Sequence, residues 1–128
     1  MIRIAETKEG YLDLDDLENQ LRFHQSYGRQ MIGCFSVASN VTGIVIDDIA
    51  CTILLHQYQA LAFWDYNIAA PCITIDMNPL VPGVEENSAN KDAIYFSGHK
   101  FIGGVQTPGK FIEHHLRSVT NTERLQEF

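Results

Sequence analysis

"MIGCFSV" (Met31 to Val37) and "LAFWD" (Leu61 to Asp65) are two apolar runs of strand length, and what lies between them decides how they pair. The first run ends in a polar turn, Ser39-Asn40-Val41-Thr42-Gly43. Asp47 and Asp48 then precede a stretch in which Ile49, Ile53, Leu54 and Tyr58 fall on one helical stripe, out to about Ala60. A carboxylate at an N-cap satisfies backbone N–H groups that lack helical partners, and an apolar stripe lets the helix dock on a sheet. Strand, helix and strand within so few residues pair in parallel through a right-handed crossover. A run as apolar as the first suits a strand covered on both faces. The expected class is α/β, a mainly parallel sheet with flanking helices.

The rest of the chain extends that reading. Ile2 to Ala5 reads as a short strand, and after a turn at Gly10 the acidic cap at Asp13 opens a helix with Leu14, Leu17 and Leu21 on one side, broken around Gly28. Pro79, Pro82 and Gly83 mark Pro71 to Asn90 as irregular, with a short extended piece at Cys72 to Ile75. Ala93 to Phe96 is a third strand, Lys110 to Ile112 a fourth, and the polar tail from Glu113 reads as helix. No repeat or low-complexity segment interrupts the 128 residues, which read as one domain or part of one.

Composition excludes several partner classes. A net charge of −7, with no cluster of Lys or Arg, lacks the electrostatic footprint of a nucleic-acid binder. No run approaches the ~20 apolar residues of a membrane span, and the first residues lack the long apolar segment of a secretory signal. A cytoplasmic protein is expected. Cys34, Cys51 and Cys72, odd in number and set in apolar stretches, read as reduced, buried thiols rather than as a disulfide framework.

Ligands of open parallel sheets bind outside the carboxyl ends of the strands. Those ends carry Asn40, Asp65, and the run Ser97-Gly98-His99-Lys100. One amide, one carboxylate, one hydroxyl, one imidazole and one amine suit an aldehyde cofactor. A lysine amine forms a Schiff base with pyridoxal 5′-phosphate, and a carboxylate keeps the pyridine nitrogen protonated so that the ring withdraws electrons. Lys100 would hold the cofactor and then move a substrate proton as general acid and base. Asp65 would face the ring nitrogen, and Ser97, His99 and the Gly103-Gly104 turn would donate to the phosphate.

"FSVASNVTGI" (Phe35 to Ile44), "FWDYNIAAP" (Phe63 to Pro71), "IDMNP" (Ile75 to Pro79) and "DAIYFSGHKFIGGVQTPG" (Asp92 to Gly109) occur in that order. At this spacing they resemble the class V aminotransferase and cysteine desulfurase family of pyridoxal-phosphate enzymes, from about Met31 to Ile112. The resemblance implies part of the large domain of a fold type I transferase. By position it implies Lys100 as the Schiff-base lysine, Asp65 as the partner of the pyridine nitrogen, Ser97 and His99 as phosphate contacts, and Asn40 as a contact to the ring substituents. It further implies an amino acid substrate and, in the full-length architecture, a homodimer. Two departures stand out: Ile68 occupies the place of a glutamine in many desulfurases, and Val105-Gln106 replaces a glycine and proline pattern. The family's members are longer on both sides, so the chain resembles the middle of the large domain, truncated at both ends, and is expected to be weakly active or inactive alone.

Two other readings compete. A catalytically inactive fragment serving as an interaction partner, or as no functional product, would keep the central strands and expose apolar sheet edges. A metal module built on His56, His99, His114 and His115 lacks the spacing of a metal motif. A serine hydrolase fails because Ser97 lies in no Gly-x-Ser-x-Gly elbow.

Overall fold

The computed structural model describes residues 1–104 and 107–113. Helix α1 (Leu14–Gln25) starts where the Asp13 carboxylate accepts the backbone N–H groups of Asp15 and Asp16, both at 3.0 Å. Acidic residues fill its first turn and Arg22 and His24 its last, matching the helix dipole. Leu17 and Leu21 form its buried face, whereas Leu14 at its first position is 38 % exposed.

Strand β1 (Ile32–Ser36) leads through the 39–43 turn into α2 (Asp48–Gln57), capped by Asp47 through the Ala50 N–H at 2.9 Å. The helix stops short of Ala60 for a local reason. The Ala60 N–H reaches the Leu55 carbonyl at 2.9 Å and the Gln59 N–H reaches that of His56 at 3.0 Å. These are the paired bonds of a Schellman motif, which needs a left-handed residue, and Gln59 adopts φ 59° there. Strand β2 (Leu61–Asp65) follows at once, parallel to β1 with Gly33 opposite Ala62 and Ser36 opposite Asp65. Strand β3 (Ala93–Ser97) lies parallel to β2, and β4 (Gly109–Glu113) runs antiparallel to β3, giving the order β1-β2-β3-β4. The α/β expectation and its mainly parallel sheet are observed.

The core forms where α2 meets the sheet, from Cys51, Leu55, Ala62 and Trp64, all fully buried. The Trp64 indole N–H donates to Thr52 Oγ1 at 2.9 Å, so the large ring is buried without stranding its polar atom. Gly33 permits the close approach, since a Cβ there would lie 2.6 Å from Leu55 Cδ2. Two polar clusters pin the surrounding loops. Lys91, 2 % exposed, sets its Nζ 2.9 Å from the Asp76 carbonyl and 3.1 Å from the Asp48 carboxylate, which also accepts the Tyr66 hydroxyl. Burial, reinforced by Asp48, pushes the Tyr66 phenol well above its ordinary range. At the start of β2 and β3, Asp92 accepts the Ala62 N–H at 2.7 Å and meets His56 Nε2 at 2.9 Å, while His56 Nδ1 lies 2.8 Å from the Ser88 carbonyl.

Three local expectations are corrected. Ile2 to Ala5 forms no strand of the sheet: the Ala5 N–H is taken by the Asp16 carboxylate at 2.8 Å and its carbonyl by the Asp13 N–H, leaving a single bridge between Glu6 and Leu12. Cys72 to Ile75 forms no strand: the N–H groups of Cys72 and Ile73 both bond the Ala69 carbonyl, so the piece begins in a turn and continues irregularly. All three thiols are free, but only Cys51 is buried. Cys34 sits on the face of β1 opposite α2, and Cys72 lies in the irregular stretch. The expected helix beyond Glu113 falls outside the described residues.

Candidate functional site

Because β1, β2 and β3 are parallel, their carboxyl ends share one edge of the sheet. Side chains alternate across a strand, so Ser36, Asp65 and Ser97 fall on the face opposite α2, along with Cys34, Phe63 and Tyr95. Phe63, Tyr95 and Phe111 make an aromatic row there, with ring centres 6.3 and 4.8 Å apart.

Asp65 ends β2 with both oxygens oriented. Oδ1 accepts the Asn67 N–H at 2.8 Å, and Oδ2 accepts the Ser36 hydroxyl at 3.4 Å. A carboxylate offers about four lone-pair directions, so a further N–H donor can still be received. Ser97 ends β3 and donates to Asn67 Oδ1 at 2.6 Å. Asn67 therefore joins the two strand ends, with its main chain on Asp65 and its amide on Ser97. The sequence reading passed over it; the only local signal is a polar residue two positions after a strand-ending aspartate, the pattern of an Asx turn.

His99 and Lys100 occupy the single 3-10 turn Gly98–Lys100 directly after β3, and both are exposed. The loop beyond folds back on that turn. The Phe101 N–H bonds the Gly98 carbonyl at 3.1 Å, and the Gly104 N–H bonds that of Phe101 at 2.9 Å. The Gly104 carbonyl then accepts both the N–H and the hydroxyl of Thr107, at 3.2 and 2.7 Å. Gly104 is buried, and a Cβ on it would strike the Gly98 carbonyl oxygen. Its N–H, expected to face a phosphate, is engaged inside the loop. Asn40 lies exposed in the 39–43 turn of the same edge, shaped by Ser39 Oγ accepting the N–H groups of Val41 and Thr42 at 3.3 and 3.2 Å. The edge thus joins Asp65 and Ser97 in one hydrogen-bonded unit and sets His99 and Lys100 in the next turn. Asn40 stands on a neighbouring loop, with no side-chain bond to the other four among the described residues.

Electrostatics on this face disfavour a thiol nucleophile. Partial burial, then the charge of Asp65, pushes the Cys34 thiol up, and burial, then Cys34, pushes the Tyr95 phenol up. A reactive cysteine needs the opposite surroundings. The donor set fits a phosphorylated pyridine aldehyde instead: an oriented carboxylate for a protonated ring nitrogen, hydroxyl and imidazole for a phosphate, and an amine one turn away. Ile68, the departure noted above, is 38 % exposed beside Asn67, while Val105, Gln106, His114 and His115 lie outside the described residues. His56 is occupied by Ser88 and Asp92, and among the described residues no group of three or more His, Cys, Asp or Glu is placed to hold a metal. No helix among them is long and apolar enough to cross a membrane.

Comparison with solved structures gives the fold independently. A NifS-like protein from Rickettsia africae ESF-5 superposes with a TM-score of 0.68 at 23 % identity, covering 86 % of this chain and 27 % of that one. Mouse CSAD superposes with a TM-score of 0.66 at 10 % identity, covering 97 % of this chain and 27 % of that one, and its apo form gives 0.65 at 12 % identity. The chain therefore spans about a quarter of the length of these relatives. No curated protein matches the sequence significantly. The sequence model of the family described as "Aminotransferase class-V" matches residues 2–105, most of the chain and all three parallel strands with the turn that carries Lys100; the chain belongs to the class-V aminotransferase family.

Proposed function

We propose that the carboxyl edge of the sheet binds pyridoxal 5′-phosphate through Lys100, Asp65, Ser97, His99 and Asn40, for chemistry on an amino acid of the aminotransferase or desulfurase type. The observation that carries this reading is the bonded unit Asp65–Asn67–Ser97 at the ends of β2 and β3, with Lys100 in the next turn. The cofactor, when bound, supplies an electron-withdrawing ring. The chain supplies the rest. Asp65, oriented by the Asn67 N–H, would accept the hydrogen bond of a protonated ring nitrogen. Ser97 and His99 offer donors to an anion, and the Lys100 amine gives a covalent anchor and a proton carrier. Lys100 and His99 are exposed, so water reaches the reacting groups and weakens the electrostatic contacts that a dry site strengthens. Weak activity of this chain by itself is the corresponding expectation, and a homodimer belongs to the same proposal.

The test is borohydride reduction of the protein with pyridoxal 5′-phosphate, followed by peptide mapping. A stable adduct on Lys100 is expected, and Asp65→Asn should keep the adduct while altering the absorption of the bound cofactor. An adduct on another lysine, or none on folded protein, refutes the assignment.

A further inference from the structure

Asn67 is the residue that neither the motif nor the strand-end argument singled out, yet it touches both groups on which the cofactor site rests. The Ser97 hydroxyl has one proton, and in the structure that proton goes to Asn67 Oδ1 at 2.6 Å. A serine whose proton is engaged this way offers outward only lone pairs, which a phosphate repels. The asparagine side chain, however, is close to symmetric in shape. Turned over by half a rotation, it presents Nδ2 to the same oxygen, donates where it formerly accepted, and releases the Ser97 proton toward the open edge. The Asn67 main chain does not move in this exchange, because its N–H stays on Asp65 Oδ1.

We propose that Asn67 is a positioning residue that sets the direction of the Ser97 hydroxyl, so that Ser97 becomes a phosphate donor only when the Asn67 amide donates to it. The inference rests on the pyridoxal-phosphate reading and adds to it the origin of phosphate selectivity. Asparagine suits the role by chemistry: an aspartate would hold the Ser97 proton permanently, and an apolar residue of the same shape would leave the hydroxyl undirected.

The probes are pyridoxal 5′-phosphate and 5′-deoxypyridoxal, which lacks the phosphate and, having no 5′-hydroxyl, keeps its aldehyde free. Each is titrated into the full chain, reduced with borohydride, and quantified as the Lys100 adduct by mass spectrometry. The ratio of the two apparent affinities isolates the phosphate. Wild type should favour the phosphorylated aldehyde, and Asn67→Asp, which can only accept, should lower that preference by about ten-fold or more, the size of a lost hydrogen bond to a charged group. Asn67→Leu, which removes the competing acceptor together with the donor, should lower it less than Asn67→Asp does. In a Ser97→Ala background, Asn67→Leu should change nothing further, because Asn67 acts through Ser97. Trp64 fluorescence reports that each variant is folded; if Asn67→Leu is not, Asn67→Asp is compared with and without Ser97→Ala, because its added charge repels a phosphate in both backgrounds and only the part of its loss that disappears without Ser97 acts through the hydroxyl. A wild type that prefers the phosphorylated aldehyde, with Asn67 variants of unchanged preference or losses that add in full to that of Ser97→Ala, overturns the role of Asn67 only. A wild type that labels at Lys100 with neither aldehyde, or with both equally, overturns the cofactor reading and this inference with it.

Discussion

Lys91 is the residue whose loss should cost this fold most for the fewest atoms. It is 2 % exposed and Asp48 is 20 % exposed, so their ion pair at 3.1 Å is largely removed from water. Lys91→Met fills the same space but leaves the Asp48 carboxylate facing only the Tyr66 hydroxyl, and the Asp76 carbonyl without its donor. Breaking one side of a buried pair costs about 3–5 kcal/mol. Water can reach the exposed fifth of Asp48, which argues for the lower end, about 3 kcal/mol, a large part of the ~5–15 kcal/mol that holds a domain folded. With a urea dependence of roughly 2 kcal/mol per molar, the unfolding midpoint should fall by about 1.5 M. Trp64, the chain's single tryptophan, is buried against Thr52 and reports the transition by fluorescence. Adding Asp48→Asn to Lys91→Met removes the uncompensated charge and should recover about half of the loss. A midpoint within about 0.3 M of wild type, or a double variant weaker than the single one, refutes the reasoning.

Burial, with Asp47 and Asp48 behind it, pushes the Cys51 thiol from its ordinary 9.0 up to about 12. The unfolded chain loses that proton first, so the associated stability is full below pH 9 and declines toward pH 12, by up to about 1.4 kcal/mol per pH unit. The urea midpoint should therefore be lower at pH 10 than at pH 8, and equal midpoints refute the shift. Gln59→Gly should stabilise by about 1 kcal/mol, because glycine meets no penalty at the left-handed position that ends α2, and thermal unfolding should rise by roughly 4 °C. A fall would mean that the Gln59 side chain supports the turn. Gly104→Ala should force the loop off the Gly98 carbonyl at a cost of about 1–3 kcal/mol and weaken cofactor labelling of Lys100 while Trp64 remains buried. Unchanged labelling would show that the loop does not shape the site.

What the sequence revealed, and what it hid, divides along the range of the interactions involved. The β1-α2-β2 unit was legible because two apolar runs, an acidic cap and a helical stripe are local signals that agree. Convergence of Asp65, Ser97, His99 and Lys100 at one edge followed from parallel topology alone. The strand expected at Ile2 to Ala5 failed because its backbone groups found Asp13 and Asp16 instead, a competition that a window of neighbouring residues does not display. Cys34 looked buried because an apolar run has no visible sides; only the register shows that its face is the one α2 leaves uncovered. Asn67 and Lys91 escaped notice for a third reason. Each reads as an ordinary polar loop residue until the fold brings it against Ser97, 30 residues away, in the first case, and against Asp48 in the second.

The two rims of the sheet are held in different ways. Where β2 and β3 begin, Asp92 grips the Ala62 amide and the His56 ring, and His56 in turn grips the Ser88 carbonyl, contacts that span 30, 36 and 32 residues. Where the same strands end, the side-chain ties are the 3.4 Å bond from Ser36 to Asp65 and the Asn67 bridge, the Tyr66 N–H still reaches the Tyr95 carbonyl, and beyond them the chain is held by turns of a few residues. Mechanically this is a plate clamped more firmly along one rim than along the other. Strand register is set at the clamp, so a loop at the looser rim can be lengthened, rotated or exchanged without sliding one strand past its neighbour. Amide exchange should follow the same gradient, slow at Ala62 and fast beyond Ser97. New side-chain arrangements can therefore be tried at the looser rim one loop at a time, while the clamped rim keeps the frame in place.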